Sequence, residues 1–457
     1  MRDFAFLVAA VCFILALKGL SSPRTARYGN LIGAAGALLA VVIVFTIEGL
    51  DHIPAILAAV AAGAVVGALV ARRVRMTAMP QLVAIFNGVG GGAAALVALL
   101  ELASTDQGLP LAAAIFTLIV GSVSFSGSMV TFAKLQELMT GRPVTLPGGP
   151  FVFGAVLAVA LGVGIGVYVG EGQGSAASAE AVAVVLVSLV VGVLFVLPVG
   201  GADVPIVISM LNAFTGLTVA ASGYVLRNTL LLVAGTLVGA AGTLLTRLMA
   251  AAMGRPITNI LFGAFQARGA AVGAAVGAAS RPVRSVGPED VAILLGYARK
   301  VVIVPGYGLA VAQAQHTVRE VADVLADRGV TVSYGIHPVA GLMPGHMNVL
   351  LAEVNVPYEE LVEMDDINPE LPYTDVALVV GANDVVNPAA KTSPGSPIYG
   401  MPIIEVGQAA AVVFLKRSMR PGFAGIENEL LYDPKTMLLF GDAKESLAKV
   451  LAALKAL

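Results

Sequence analysis

Residues 301–320, VVIVPGYGLAVAQAQHTVRE, join an apolar, β-branched run to a helical one through Gly306, Tyr307 and Gly308. Gly306 and Gly308 stand at the first two positions of a dinucleotide fingerprint, with Val311 where its third glycine would fall. The chemistry such a turn offers is anion binding. Gly306 permits the tight turn, Gly308 lets backbone approach a pyrophosphate, and free amides at the helix start attract its charge. A lone fingerprint is a weak signal. This one follows a strand pattern, opens a helix pattern over 309–327 and begins an alternating fold, and that context strengthens it.

A site for NAD usually places Asp or Glu at the end of the second strand, where it holds the ribose 2′-hydroxyl. The second run, VTVSYGIHPV over 330–339, contains no acid, and Asp323 and Asp327 lie earlier on a helix, where they read as solvated. Lys416, Arg417 and Ser418 instead end the run AVVFLKRS. That is the carboxyl edge where ligands bind in such sheets. Two cations and a hydroxyl suit a 2′-phosphate, since Arg offers a forked donor pair and Lys a compact charge. The plain alternative is a solvated basic strand end. The missing acid and the added cations together favour NADP(H).

From Asp290 onward the runs KVVIVPG, VTVSYGIHPV, DVALVVGAND, PIIEV, AVVFLKRS and TMLLFGDA read as strands, with helices at 309–327 and around 345–353. Continuous apolar strands alternating with helices predict a parallel sheet covered on both faces, a doubly wound, Rossmann-like α/β domain over 290–457. The rest of the chain is different. Of the 457 residues 58% are hydrophobic and only 12% are charged, against roughly 25% charged in a soluble domain. Runs long enough to span a bilayer, roughly 17 to 25 residues each, fall near 4–20, 29–48, 53–71, 82–102, 110–133, 152–170, 182–198, 205–223 and 229–250. The expected fold is therefore a polytopic α-helical membrane bundle of about nine spans over 1–250, a Gly/Ala/Pro/Arg linker or hinge over 251–289, and the α/β domain.

Lys and Arg accumulate on the cytoplasmic side of short loops. They follow spans one, three and five (Lys18, Arg24, Arg27; Arg72, Arg73, Arg75; Lys134, Arg142), whereas Glu48, Asp51, Asp106, Glu171 and Glu180 follow spans two, four and six. Arg227 is the exception. The pattern predicts an external N-terminus and a cytoplasmic C-terminal domain, in a bacterial-type inner membrane. A net charge of −2 gives no basic excess for nucleic acid. The single cysteine, Cys12, lies in an apolar run, reads as a small core residue and excludes an internal disulfide or a thiolate-rich metal site.

Glycine and alanine in the spans read as packing residues, because small side chains let helices approach in lipid. Polar residues there need partners. They are Asn87, Ser122, Ser124, Ser126 and Ser128, Asp203 at a cytoplasmic rim, and Asn212. The serines read as bonded to their own preceding turn. Asn87 and Asn212 fit either interhelical bonds or a water and proton path. No histidine falls in the middle of a span, so a proton route would use Asn, Ser and water, or a group from another subunit.

The stretches PGYGLAVAQAQH, HPVAGLMPGHMNVLLAE, VVGANDVVNPAA, LKRSM with GFAG, and GGADVPIVISMLN occur in order along the chain. In them the sequence resembles, nearly end to end, the β subunit of proton-translocating nicotinamide nucleotide transhydrogenases. The resemblance implies a subunit of a multi-subunit NAD(P)+ transhydrogenase of the Si/Re-specific type. It implies NADP(H) bound on this chain and NAD(H) on a partner α subunit that also carries the remaining membrane helices, in a dimer of protomers, with hydride transfer coupled to proton movement.

The same resemblance implies residue roles. Gly306, Tyr307, Gly308, Ala310 and Val311 match the pyrophosphate turn; Met343, Pro344 and Gly345 match a loop over the nucleotide. Gly381, Ala382, Asn383 and Asp384 match the loop near the nicotinamide ribose and the coupling region. Lys416, Arg417 and Ser418 match the 2′-phosphate site, Gly422 to Gly425 its lid, and Gly441 and Asp442 complete the nucleotide-binding set. Asp203 and Asn212 match positions implicated in proton coupling, which with Asn87 and Asp384 make the catalytic set. No metal is expected.

Three positions depart from the family pattern. Asn87 stands where some relatives carry a proposed proton-carrying His, Leu342 where an Arg is expected, and Phe423 where a Tyr is expected in the lid. The reading from another class is a channel or transporter whose cytoplasmic Rossmann domain senses a nucleotide. Such domains usually use the acid that is missing here, and the repeats and broken helices of many transporters are not found.

Overall fold

The computed structural model describes the whole chain except residues 1, 47–51, 75–77, 103, 106, 137, 141–142, 145, 171–174, 201–202, 253–256, 258–281, 342–344, 395, 397 and 423. Two compact units emerge: Met1–Val199 with Ile206–Thr246, and Gly200–Pro205 with Arg247–Leu457.

The first unit is helical. Its helices are α1 (Arg2–Leu20), α2 (Pro23–Phe45), α3 (Ile53–Arg73), α4 (Met79–Glu101), α5 (Leu109–Leu135), α6 (Gly149–Val169), α7 (Ser175–Val196), α8 (Val204–Val225) and α9 (Thr229–Ala252), of which α8 belongs to this unit from Ile206 and α9 as far as Thr246. These match the nine apolar runs one for one. Eight are long and apolar enough to cross a membrane, and α1 carries the shorter apolar stretch Phe4–Leu20. No described residue of α3 is buried. A helix apolar on every face and unburied within its own chain is stable only where lipid or another apolar surface surrounds it.

The small residues act as expected. A Cβ on Gly121 of α5 would stand 2.7 Å from Gly91 O of α4, so only glycine permits this approach. Polar side chains then become the glue: Lys134, 4% exposed, donates from Nζ to the carbonyls of Val196 (3.0 Å), Leu197 (2.6 Å) and Val199 (2.8 Å). A cation thus satisfies the end of α7, where unpaired carbonyls carry partial negative charge. Cys12 is only half-buried, facing α2 rather than a deep core.

The second unit is a parallel six-stranded sheet in the order β3-β2-β1-β4-β5-β6. Its strands are β1 (Lys300–Pro305), β2 (Thr331–Ile336), β3 (Leu361–Glu363), β4 (Val376–Val380), β5 (Ala411–Lys416) and β6 (Thr436–Phe440), with helices α10 (Pro288–Gly296), α11 (Tyr307–Val311), α12 (Gln315–Asp327), α13 (His346–Glu353) and α14 (Ala443–Ala456). The central strands are buried along almost their whole length, as parallel strands covered on both faces must be. Order reverses between β1 and β4, which pair from Val301↔Val376 to Pro305↔Val380. At that switch the two strand ends diverge into a crevice.

Three local expectations change. PIIEV is not a strand: Ile403 and Ile404 are buried, but Ile404 N donates to Val385 O, and Asn368 brackets the segment through Ile403 O and Glu405 N. Because β4 pairs directly with β5, this apolar segment packs over the core instead of joining the sheet. The helix over 309–327 is broken into α11 and α12, with Gln313 at φ +52 between them. Strand β3, three residues long, carries too little pattern to be seen in sequence. Of the linker, residues 253–256 and 258–281 lie outside the described residues, while its end runs along β6 through Val286 N to Leu438 O (3.0 Å) and Leu438 N to Arg284 O (2.8 Å).

Candidate functional site

At the carboxyl ends of β1, β4, β5 and β6 lies a cavity of about 230 Å³, lined by Gly308, Val311 and Ala312, by Gly381, Ala382 and Asn383, by Leu415, Lys416 and Arg417, and by Gly441, Asp442 and Ala443. It is smaller than the roughly 300–1,000 Å³ of pockets that take up a whole small-molecule ligand. The four turns that sequence reading singles out thus converge on one crevice.

The turn after β1 is locked to the turn after β4. Gly306 N donates to Val380 O and Gly308 N to Gly381 O, both at 2.9 Å. A Cβ on Gly308 would meet Gly381 Cα at 2.7 Å, and Gly381 itself sits at φ +69. The glycines are therefore required by backbone packing across the switch point, and the Gly308 amide is already used within the chain. Gly306 and Ala310 are buried beneath the cavity, whereas Gly308 and Val311 face it.

The loop after β4 is cross-braced by the segment after β5. Lys416 Nζ donates to Asn383 Oδ1 and to Arg420 O, both at 3.1 Å. Asn383 Nδ2 donates to Asp384 Oδ1 at 2.8 Å, and Asp384 Oδ2 accepts from Ala424 N at 2.8 Å. Asn428 Nδ2 closes the brace on Asn383 O at 3.2 Å. Burial pulls the Lys416 ammonium below its ordinary pKa, and the Asp384 carboxylate opposes that shift. Lys416 has only neutral oxygens as direct partners, and exposed Arg417 makes no ion pair with a carboxylate among the described residues. Two cations at the rim of a crevice without a paired carboxylate fit an anionic group.

The remaining positions divide. Asp442 lines the cavity while its Oδ1 caps α14 through the N–H groups of Lys444 and Glu445. Gly441 lines it at φ +148. Asp384 and Gly422 stand behind the wall, in the brace. Ser418 is exposed, where its Oγ accepts from Arg420 N at 3.4 Å, and Gly345 and Gly425 are exposed turn glycines. Tyr307 is half-buried at the start of α11. Met343 and Pro344, with Leu342 and Phe423, lie outside the described residues. Ala312, Leu415 and Ala443 also line the cavity; sequence reading missed them because plain apolar residues carry no chemical signal. His337, 1% exposed, was not assigned to the site, and its ring bonds to Pro402 O (2.7 Å) while Nδ1 accepts from Val339 N (3.2 Å).

In the membrane unit Asn87 Nδ2 donates to Ser128 Oγ at 3.0 Å and to Ser124 Oγ at 3.4 Å. Ser124 Oγ also bonds to Leu211 O at 3.0 Å and to Thr215 Oγ1 at 2.6 Å. So Ser126 bonds to its own helix, through Ser122 O, as expected, but Ser122 Oγ has no hydrogen-bond partner among the described residues, and Ser124 and Ser128 reach across helices. Asn212 is half-buried on α8 and does not join this network. Asp203 lies in the segment Gly200–Pro205, within the second unit.

The fold and the site define a polytopic membrane protein that carries a doubly wound α/β domain with a basic crevice at its switch point. Sequence comparison makes this specific. The profile of the NAD(P) transhydrogenase beta subunit family matches residues 2–453, and the chain is 47% identical over 460 aligned residues, 98% of each chain, to the NAD(P) transhydrogenase subunit beta of Rhodospirillum rubrum. A second sequence of that name from the same species gives the same figures. The chain belongs to the NAD(P) transhydrogenase beta subunit family.

Proposed function

We propose that residues 290–457 bind NADP(H), and that this chain, with an α subunit carrying NAD(H), performs reversible hydride transfer of the Si/Re-specific type coupled to proton movement across an inner membrane. The observation that carries the cofactor assignment is the pair Lys416 and Arg417 at the cavity rim, free of carboxylate partners among the described residues, on a sheet whose second strand ends without an acid. The nicotinamides supply the hydride chemistry. This chain supplies position and environment.

In this reading Lys416, Arg417 and Ser418 hold the 2′-phosphate, and the 306–311 and 381–384 turns form the floor. Met343, Pro344 and Gly345 lie over the nucleotide, Gly422 and Gly425 belong to the lid, and Gly441 and Asp442 bound the far side. The brace from Asp384 to Ala424 holds the lid segment against the floor, so a charge change at Asp384 alters how tightly the nucleotide is enclosed. Protonation in the membrane path, read through Asp203, the 251–289 linker and the Asp384 loop, then alternates open and occluded forms. Asn87 and Asn212 belong to that path, with a titrating group on the α subunit. The N-terminus faces out, the α/β domain faces the cytoplasm, and the complex is a dimer of protomers.

The test is a titration of the full chain in detergent with NADPH and NADH, followed by nicotinamide fluorescence. Strong preference for NADPH is expected. Equal binding, or preference for NADH, would overturn the assignment. In the complex reconstituted in vesicles, Asp203→Asn and Asp384→Asn should each lower the protons moved per hydride; if both retain the normal ratio, the coupling route is wrong.

A further inference from the structure

Helix α7 ends at Val196, and the chain reaches α8 through LPVGGAD, residues 197–203. Pro198 has no N–H with which to continue the helix and biases Leu197 away from helical backbone. The last carbonyls of α7 therefore need donors from elsewhere. One side chain supplies them. Lys134, next to the end of α5 and 4% exposed, donates from Nζ to Val196 O at 3.0 Å, Leu197 O at 2.6 Å and Val199 O at 2.8 Å. All three of its N–H groups are thereby used. Val144 N adds a bond to Leu197 O at 3.0 Å, so α5 and the chain just beyond it grip one turn together.

Ending a helix does not require this. A glycine in a left-handed turn, or water, satisfies the same carbonyls, whereas withdrawing an ammonium from water is costly, and a buried charge is weak evidence of added stability. Lys134 makes no ion pair with a carboxylate among the described residues. What three bonds from a single nitrogen do provide is a fixed position for residues 196–199.

The position matters because of what lies on either side. Downstream, Asp203 donates from its N–H to Gly200 O at 3.0 Å and stands directly before α8. Upstream on α5, Ser128 accepts from Asn87 Nδ2 at 3.0 Å, and Ser124 meets Leu211 O and Thr215 Oγ1 of α8. Ser128 and Lys134 are separated by under about two turns of helix. One helix thus holds both the Asn87 amide and the turn that leads to Asp203.

We propose that Lys134 is a positioning residue for proton coupling: its ammonium fixes the α7–α8 turn, so that α5 mechanically joins the Asn87 network to the Asp203 segment. The inference rests on the reading that coupling runs through Asp203, and adds to it the group that ties that segment to the bundle. Lys134 itself touches no nucleotide and carries no proton in this scheme.

The experiment uses the complete complex with its α subunit, reconstituted in vesicles containing a pH-sensitive dye, with hydride transfer followed at the same time. Lys134→Gln, uncharged and one atom shorter, should lower the protons moved per hydride about five-fold or more, the low end of a typical coupling energy, while NADPH titration of the same complex stays unchanged. Lys134→Arg, which keeps a cation but spreads its donors over a planar fork, should give an intermediate ratio. Thr131→Val removes a buried α5 hydroxyl that bonds to its own helix at Gly127 O (2.8 Å); it controls for local loss of stability and should keep the unaltered ratio.

The double variant of Lys134→Gln and Asp203→Asn should fall no further than Asp203→Asn alone, because both act on one turn; simple addition of the two effects would overturn the inference. A normal ratio in Lys134→Gln beside a lowered one in Asp203→Asn would also overturn it, and would leave the coupling reading standing. If Lys134→Gln does not assemble, an unaltered ratio in Lys134→Arg decides against the inference. If Asp203→Asn itself keeps the normal ratio, the coupling reading falls, and this inference with it.

Discussion

Asp384 Oδ2 accepts a hydrogen bond from the backbone N–H of Ala424 at 2.8 Å, which ties the loop after β4 to the segment after β5. The carboxylate's other oxygen holds Asn383, whose own Oδ1 accepts from Lys416. One acidic side chain therefore links the floor of the crevice, its cation and its cover. Hydrogen bonds to a charged group are worth about 1.5–3 kcal/mol. Asp384→Ala should speed NADPH release roughly ten-fold or more on that basis, and Asp384→Asn, which retains one acceptor, should do so less. Stopped-flow nicotinamide fluorescence reads this directly, and an unchanged release rate in the Ala variant would remove the brace from the mechanism.

In the proposed site, Lys416 and Arg417 would carry the anion preference. Replacing either with Ala should weaken NADPH binding by about 10–100-fold and leave NADH nearly untouched, the range of one charge-assisted bond at about 1.4 kcal/mol per ten-fold. The Lys416 ammonium, half-buried, is held below its ordinary value of 10.5. Its charge is therefore lost at lower pH than that of a free lysine. Affinity for NADPH should begin to fall on the alkaline side before pH 10.5, and Lys416→Arg should flatten that fall. Parallel weakening of NADPH and NADH would argue against a 2′-phosphate site.

Gly308→Ala tests the switch-point packing. The added Cβ would lie 2.7 Å from Gly381 Cα, against backbone that cannot rotate away. Overpacking of this kind costs about 1–3 kcal/mol. Lower resistance of the α/β unit to urea, together with loss of NADPH binding, is expected; an Ala variant as stable as the parent would mean that the two turns can separate freely.

His337 gives the unit a pH-dependent term. Burial holds its imidazole below the ordinary value of 6.5, with a smaller opposing pull from Pro402 O. Below pH 6.5 the unfolded chain takes up a proton that the folded chain resists. Stability from this group is thus present above that pH and lost as pH falls below it, at up to about 1.4 kcal/mol per pH unit. Thermal melts of the wild type and His337→Gln across this window should converge as pH falls. Parallel curves would mean that the ring protonates without resistance.

Ser124 tests the membrane network independently. Its hydroxyl serves Asn87, Leu211 O and Thr215 at once. Ser124→Ala should cost about 0.6 kcal/mol of bundle stability, the average for such bonds within a bilayer, and at most about 1.7 kcal/mol, seen as a lower melting temperature in detergent. No change would show that the network is replaceable by packing.

Much of this molecule is legible in the residues themselves. Among the described residues the nine apolar runs become helices α1 to α9, because in lipid every backbone group must be satisfied within the segment, and length and composition alone decide the outcome. The strand patterns at 300–305, 376–380 and 411–416 are equally local, since strands buried on both faces must be apolar throughout. Lys416 and Arg417 are visible as a basic strand end because the sheet's direction follows from the strand–helix alternation.

Tertiary structure decides the rest, wherever a residue's role depends on what folds against it. PIIEV has a strand's composition, but direct pairing of β4 with β5 leaves it no place in the sheet. Ser124 and Ser128 could have bonded to their own helix; the approach of α4 and α8 turns them outward to Asn87 and Thr215. Gly308 has a fingerprint's spacing, yet what requires the glycine is Gly381, seventy-three positions further along the chain. Local pattern is set by each segment's own bonding and burial, whereas long-range contact is set by the packing of all segments together, which no single stretch of sequence contains.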